Sequence, residues 1–453
     1  MVEHTVKLFL VACVVLGFAL ANSNASTREV SVLTLKSKTT IEATSPLSGA
    51  IYQKPTGVEM IKHGAYSSDN GRTWNTVQVS PDFDRDLPYG YRRNPHTPWR
   101  DPVNGNIVVL FNCMDTPDKD PRAHEPHWQW YWYYLRYRVS TDGGRTYRFD
   151  ESIVQQGEEY SPQHPIDGVY IGKNCFFLGD SGCRPIRTRE GTVLVPMQTP
   201  PLDPKGEGFY NPGGGWYWLD SMVLIGRWTE DHHLVWDASE PIKGDGDRTS
   251  RGLYEPTLAQ LPDGTILCVM RGSNGGPRDA SCAWPSHKWV SLSRDGAHTW
   301  TQPEPWAYSD GEPFFSPASM SELFAHSNGR IYWIGNLSEG NCRANHPRWP
   351  LVIGEVDPET RGLIRDSVLT IDTKQPDEDD VNLSHWHAFE DRETGDIVIP
   401  TTRASKGYKS RQPVVYVVGV ETRGNESQPP VAATTQDAAP PTASGRGHRP
   451  ETM

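Results

Sequence analysis

The sequence has no Cys-x-x-Cys pair and no paired-His spacing of the kind zinc sites use, so nothing in it calls for a metal. It has no basic excess either. A formal net charge of −12 excludes a partner held by bulk positive charge, nucleic acid above all. Its longest apolar run, residues 8–21, is too short to span a membrane. No long stretch shows helical periodicity. What remains is 41 Gly, 38 Pro and a heavy aromatic load of 16 Trp, 18 Tyr and 12 Phe. Short β-branched or apolar runs lie between turn residues, as strands should. Examples are Ile107–Phe111, Thr192–Pro196, Ile266–Met270, Arg330–Ile334, Leu351–Val356 and Val414–Val420. Hairpin turns precede several of them, at Asn104-Gly105-Asn106, Asp263-Gly264 and Gly395-Asp396.

Three octets are near copies: Ser67–Trp74, Ser140–Tyr147 and Ser293–Trp300, sharing Ser-x-Asp-x-Gly-x-Thr-aromatic, with Ala297 replacing Gly in the third. Asp and Gly suit a tight turn, and Thr with an aromatic ring suits re-entry into a strand. The copies start at 67, 140 and 293, so the second gap, 153, is about twice the first, 73. A unit of about 65–75 residues fits, with a missing or degraded copy between the last two.

These octets resemble the Asp box of the sialidase superfamily, which joins the third and fourth strands of a propeller blade. The resemblance implies an all-β, six-bladed β-propeller as a single domain over residues 27–422, with five or seven blades as alternatives. The run Glu29–Leu35 is expected to close the ring in the same blade as Val414–Val420.

The two ends read differently. Residues 1–25 have the form of a signal peptide, with Lys7 ahead of the apolar run and cleavage expected after Ala21 or Ala25. The product would be secreted or periplasmic. A lipobox reading of Cys13 is set aside, because the apolar stretch continues past it. Residues 423–453, rich in Pro, Ala, Thr and Ser, cannot bury enough surface to fold and are expected to be a disordered tail. Export would leave six cysteines. Cys175 and Cys183 are near enough to clip one loop, against the alternative of buried free thiols, most evident for Cys268.

The sharpest chemical segment runs from Tyr254 to Arg271 across the Asp263-Gly264 turn. Strand pairing in that hairpin should set Glu255 beside Arg271 at its open end. It is similar to the sialidase hairpin in which a Glu supports a Tyr nucleophile and an Arg binds the substrate carboxylate. By the same resemblance a first carboxylate-binding Arg is Arg93 in Arg93-Asn94-Pro95, with Arg92 and Arg100 as rivals. A third is Arg348, preferred to Arg343. Guanidinium groups suit the task because they are permanently charged and bidentate. The family's acid/base Asp falls in the loop 112–132, where Asp120 is the choice. Its neighbouring aromatic run, Trp128–Tyr134, suits stacking on a sugar or simply packs the blade.

The last blade departs from the pattern. Where the family carries its Tyr nucleophile, this chain has Ser384-His385-Trp386-His387. Tyr254 or Tyr408 could substitute, or His385 and His387 could act as acid and base, with Trp386 as a substrate platform. Three functions follow: a sialidase-like exo-glycosidase removing a terminal acidic sugar, a polysaccharide lyase using the His385/His387 region as base, or a non-catalytic carbohydrate-binding propeller. The implied partner is a glycan or acidic sugar, with no cofactor, no membrane span and a monomeric state expected.

Overall fold

The third and fourth strands of a blade come together around each Asp box in the same way. In the first octet the Ser67 hydroxyl donates to Asp69 Oδ1 (2.8 Å) and accepts from the Gly71 N–H (2.9 Å). The Thr73 N–H and hydroxyl then close on the two carboxylate oxygens at 2.8 and 2.6 Å. The octets at Ser140 and Ser293 repeat this network. Ala297 takes the left-handed backbone of its glycine counterparts, with φ of 77° against 75° at Gly71 and 84° at Gly144. The degraded copy lies at Thr229–His233. There Thr229 Oγ1 donates to Asp231 and accepts from the His233 N–H, and the later Thr-aromatic pair is missing.

The computed structural model describes residues 29–41, 47–116 and 129–422. It is built of six antiparallel sheets of four or five strands, the blades of a β-propeller, in one compact unit spanning Val30–Asn425. Nearly every strand expected from the sequence is present, often longer: Ile107–Asp115, Val193–Thr199, Ile266–Arg271, Ile331–Asn336, Leu351–Glu355 and Ser410–Thr422. The ring closes as expected. Strand Ser31–Thr40 pairs antiparallel with Ser410–Thr422 as the outermost strand of the sixth blade, Leu33 opposite Val420. The segments expected to be a signal peptide and a disordered tail, and Asp120, lie outside the described residues. All six cysteines within them carry free thiols, and Cys113, Cys175, Cys183, Cys268 and Cys342 are buried. Burial pushes the thiols of Cys175 and Cys183 well up, so they pack as small apolar groups. Among the described residues no helix is long and apolar enough to cross a membrane.

Strand polarity sorts the residues between two faces. The hairpins joining first to second strands, such as Asp263-Gly264, share one face with the Asp boxes. Loops joining second to third strands, and the crossovers between blades, lie on the other. Glu255 opens a first strand (Tyr254–Gln260) and Arg271 ends its partner (Ile266–Arg271), so both belong to that second face, the mouth.

Candidate functional site

Glu255 meets Arg271 through a local irregularity. Tyr254 pairs with Arg271 and Thr257 with Val269, so the ladder skips a register step at Glu255-Pro256. Glu255 takes a left-handed φ of 48°, and its backbone N–H is held by Gln198 Oε1 at 2.8 Å. Its Oε1 then accepts from Arg271 Nη1 at 2.6 Å, with both side chains largely buried.

Arg271 does not stand alone. Its Nη2 donates to Asn345 Oδ1 at 3.1 Å, and Arg251 Nη2 donates to the same oxygen at 3.2 Å. Arg348 Nε reaches the backbone oxygen of Asn345 at 3.3 Å, and its Nη1 donates to Ser384 Oγ at 3.0 Å. Three guanidiniums therefore converge on one residue of the loop between Ile331–Asn336 and Leu351–Glu355. Arg251 also donates to the Tyr254 hydroxyl and lies over the rings of Tyr217 and Tyr254. Among the described residues neither Arg251 nor Arg348 has an acidic partner. Burial and then the charge of Arg271 draw Arg348 below its ordinary pKa. Positive charge therefore gathers at the mouth, and among the described residues Glu255 is the one carboxylate paired with these three guanidiniums.

Beside it stands a His–Asp pair that the sequence does not reveal. Asp180 precedes the first strand of the third blade and His385 lies in the inner segment of the sixth. Those blades are three apart in a ring of six, so their contact crosses the central channel. Asp180 Oδ2 lies 2.6 Å from His385 Nδ1. Ser181 Oγ donates to the Trp386 carbonyl at 2.5 Å, and Arg184 Nη1 to the Ala388 carbonyl at 2.6 Å and to Glu322 at 2.8 Å. Glycine is needed at 182: a Cβ there would stand 2.1 Å from the Ser321 carbonyl oxygen. Burial alone would raise the Asp180 carboxyl, but its hydrogen bond and ion pair with His385 hold it down at about 2, with Arg271 contributing. His385 is half exposed, its side chain 52% accessible. With Nδ1–H given to Asp180, its Nε2 is available to take or return a proton.

The other residues expected at the site have partners of their own. Arg93 is engaged by Asp115, Nη1 to Oδ1 at 2.5 Å, and that carboxylate also accepts from the Tyr134 hydroxyl. Among the described residues its hydrogen bonds go to Asp115 and the Arg92 carbonyl, and none goes to a partner of Arg271 or Arg348. His387 is buried, its Nε2 3.0 Å from the Ala50 carbonyl oxygen, and burial lowers its pKa to about 3, which keeps it neutral. Trp386 is 1% exposed and belongs to the core between the fifth and sixth blades. Tyr408 is exposed and stays joined to the site: its hydroxyl accepts from Asn382, whose Oδ1 accepts from Ser384, the partner of Arg348. The reason His385 and His387 part company is local. The inner strand breaks between Val381–Asn382 and Phe389–Glu390, and His385 turns through a φ of 68°.

Fold and mouth together define an Asp-box propeller with a cationic centre. The BNR repeat-like domain family matches residues 92–382, and the chain belongs to that family. No curated protein matches it. Among solved structures it is similar to the Hadza microbial sialidase Hz136, at 16% identity over 87% of this chain, with a TM-score of 0.47. The chain spans 65% of the length of that sialidase. It is similar to the NanB sialidase of Streptococcus pneumoniae at 13% identity, covering 86% of this chain and 69% of the other, TM-score 0.47. It is also similar to the intramolecular trans-sialidase of Ruminococcus gnavus at 12% identity, covering 85% and 94%, TM-score 0.47.

Proposed function

We propose that this chain is a glycan-cleaving enzyme that binds a terminal acidic sugar, sialic acid or a similar one, and hydrolyses its glycosidic bond. Arg271, Arg348 and Arg251 would hold the sugar carboxylate, displacing the Asn345 amide oxygen that now receives two of them. His385, oriented by Asp180, would activate the attacking water through Nε2. Glu255 would fix Arg271. The apolar leader read from the sequence makes an exported enzyme acting on extracellular glycans part of the proposal. The observation that carries it is the convergence of Arg251 and Arg348, neither with an acidic partner among the described residues, on the residue that also receives Arg271.

A lyase is the second reading, favoured by one feature. A base beside guanidiniums that neutralise a carboxylate is what removal of the proton α to that carboxylate requires, and no Tyr occupies the expected nucleophile position. Fluorogenic glycosides of sialic and uronic acids, assayed beside a uronate polysaccharide, separate the two. Fluorophore release with a saturated sugar product supports hydrolysis. An unsaturated uronate supports the lyase. A folded protein that cleaves none of them, yet binds acidic glycans, is a lectin-like propeller and ends the enzymatic proposal.

A further inference from the structure

The residue on which the three arginines converge sits at the tip of a tight turn. The Arg343 N–H donates to the His346 carbonyl at 2.8 Å, and the His346 N–H returns to the Arg343 carbonyl at 3.1 Å. Between them Ala344 takes a left-handed φ of 51°. Its N–H donates to Asn274 Oδ1 at 2.8 Å, and its carbonyl accepts from the Ala318 N–H at 2.8 Å. Asn274 is itself buried and bonds the Cys342 carbonyl through Nδ2 at 2.8 Å, so the backbone of the turn is pinned. The Asn345 side chain is held differently. Among the described residues its Oδ1 accepts only from Arg251 and Arg271, and its Nδ2 has no hydrogen-bond partner. Those guanidiniums have other supports. Glu255 holds Arg271, and Arg251 lies 4.6 Å from the centre of the Tyr217 ring and 5.3 Å from that of Tyr254. One neutral oxygen shared by two guanidiniums also leaves donors unmet: among the described residues the buried Nε of Arg251 and of Arg271 has no partner.

We infer that Asn345 is a specificity-determining residue: its amide oxygen is a resident competitor for the guanidiniums, and its hold on them sets the threshold that a ligand must beat. The inference rests on the proposed carboxylate-binding role of Arg251, Arg271 and Arg348. The site then has two states. In one, Asn345 Oδ1 receives Arg251 and Arg271. In the other, the side chain swings away on the pinned turn and a ligand receives them. Measured affinity is the intrinsic affinity scaled by the fraction of molecules in the second state. A carboxylate wins the exchange, because its two charged oxygens accept paired N–H bonds from a guanidinium fork and a single neutral oxygen does not. A neutral sugar brings hydroxyl or amide oxygens no better than the one already in place, so it gains nothing by displacing Asn345. The threshold lowers the affinity of every ligand by the same factor, and only an acidic one retains measurable binding.

The test is calorimetric titration of the full chain with free sialic acid, with glucuronic acid, and with the carboxamide of each, which replaces the carboxylate by a neutral group of the same shape. Binding is read without cleavage. Wild type should bind an acid and neither amide. Asn345→Ala should tighten that acid about tenfold, the scale of one hydrogen bond to a charged group, and raise its amide by the same factor. Asn345→Ser, which keeps a polar turn residue without the amide oxygen, takes its place if the alanine variant does not fold. Asn345→Asp should act in the opposite sense. Its carboxylate, isosteric with the amide, occupies the guanidiniums as an ion pair, so the acid weakens by at least about tenfold while Tm rises by about 2 °C. An Asn345 that only braces the site would instead move stability and binding in the same direction in each variant. Unchanged or weaker acid binding in the alanine variant, or full binding in the aspartate variant, overturns the competitor and leaves the carboxylate site standing. Opposed shifts with no glycoside cleaved support the competitor and end only the proposed reaction. If no acid binds to any of these proteins, the carboxylate site and its competitor fall together.

Discussion

The Asp-box face and the mouth use the same residue types in opposite ways. On the Asp-box face each carboxylate is satisfied within four residues of itself, by Ser two before it and Thr four after it. At the mouth the partners are remote: Glu255 meets Arg271 16 positions on, and Arg251 meets Asn345 94 positions on. Local closure makes the octets self-contained turns that hold blades. Remote closure makes the mouth dependent on the whole ring, and it leaves charge uncompensated where a ligand can use it.

Substitutions at the two faces should therefore separate activity from stability. The largest effect is expected for His385→Ala, which should lower kcat about 10²–10⁴-fold on the acidic glycoside, as loss of a general acid/base group does. Its thermal melt should fall at neutral pH only by the loss of the Asp180 ion pair, the same loss that Asp180→Asn shows; a small loss of kcat would remove His385 from the reaction. Glu255→Gln comes next. It leaves the Arg271 guanidinium buried beside a neutral amide, at a cost of about 3 kcal/mol in denaturant unfolding together with loss of turnover. Unchanged turnover would sink its place at the site. On the opposite face, Ser140→Ala strips the buried Gly144 N–H of its acceptor and should cost about 1–3 kcal/mol while kcat/KM is unchanged. A parallel loss of activity would mean that the two faces are not independent.

The smallest effect concerns pH. The Asp180 carboxyl sits at about 2 when folded against an ordinary 3.8, so in that window the unfolded chain binds more protons. The stability it contributes is complete above about pH 4 and is lost as pH falls toward about 2. Melting curves of wild type and Asp180→Asn should therefore draw together between those values, and a constant gap would argue against the ion pair.

The same contrast explains what the sequence discloses. The octets, the Asp263-Gly264 turn and the Glu255–Arg271 pairing are written in neighbouring or hairpin-related residues, so spacing alone reveals them. Arg348 is legible only through family resemblance. Arg251, Asn345 and Asp180 are not legible at all, because loops and a channel crossing place them, and no local pattern specifies where those lead. His385 and His387 look equivalent in an extended strand, where residues two apart share a face. The left-handed turn at His385 breaks that parity, sending one ring to the mouth and the other into the core.

One consequence lies in the seam of the sixth blade. The strand Ser31–Thr40 and the inner segment bearing His385 share one sheet, yet they come from opposite ends of the propeller chain. Bringing them together costs chain entropy on the order of 5 kcal/mol, recovered only when the sheet is whole. The crossing from Asp180 to His385 needs both the third blade and the sixth. Catalytic competence should thus appear last, at the moment the circle shuts, and an activity assay would serve as a clock for the completion of folding.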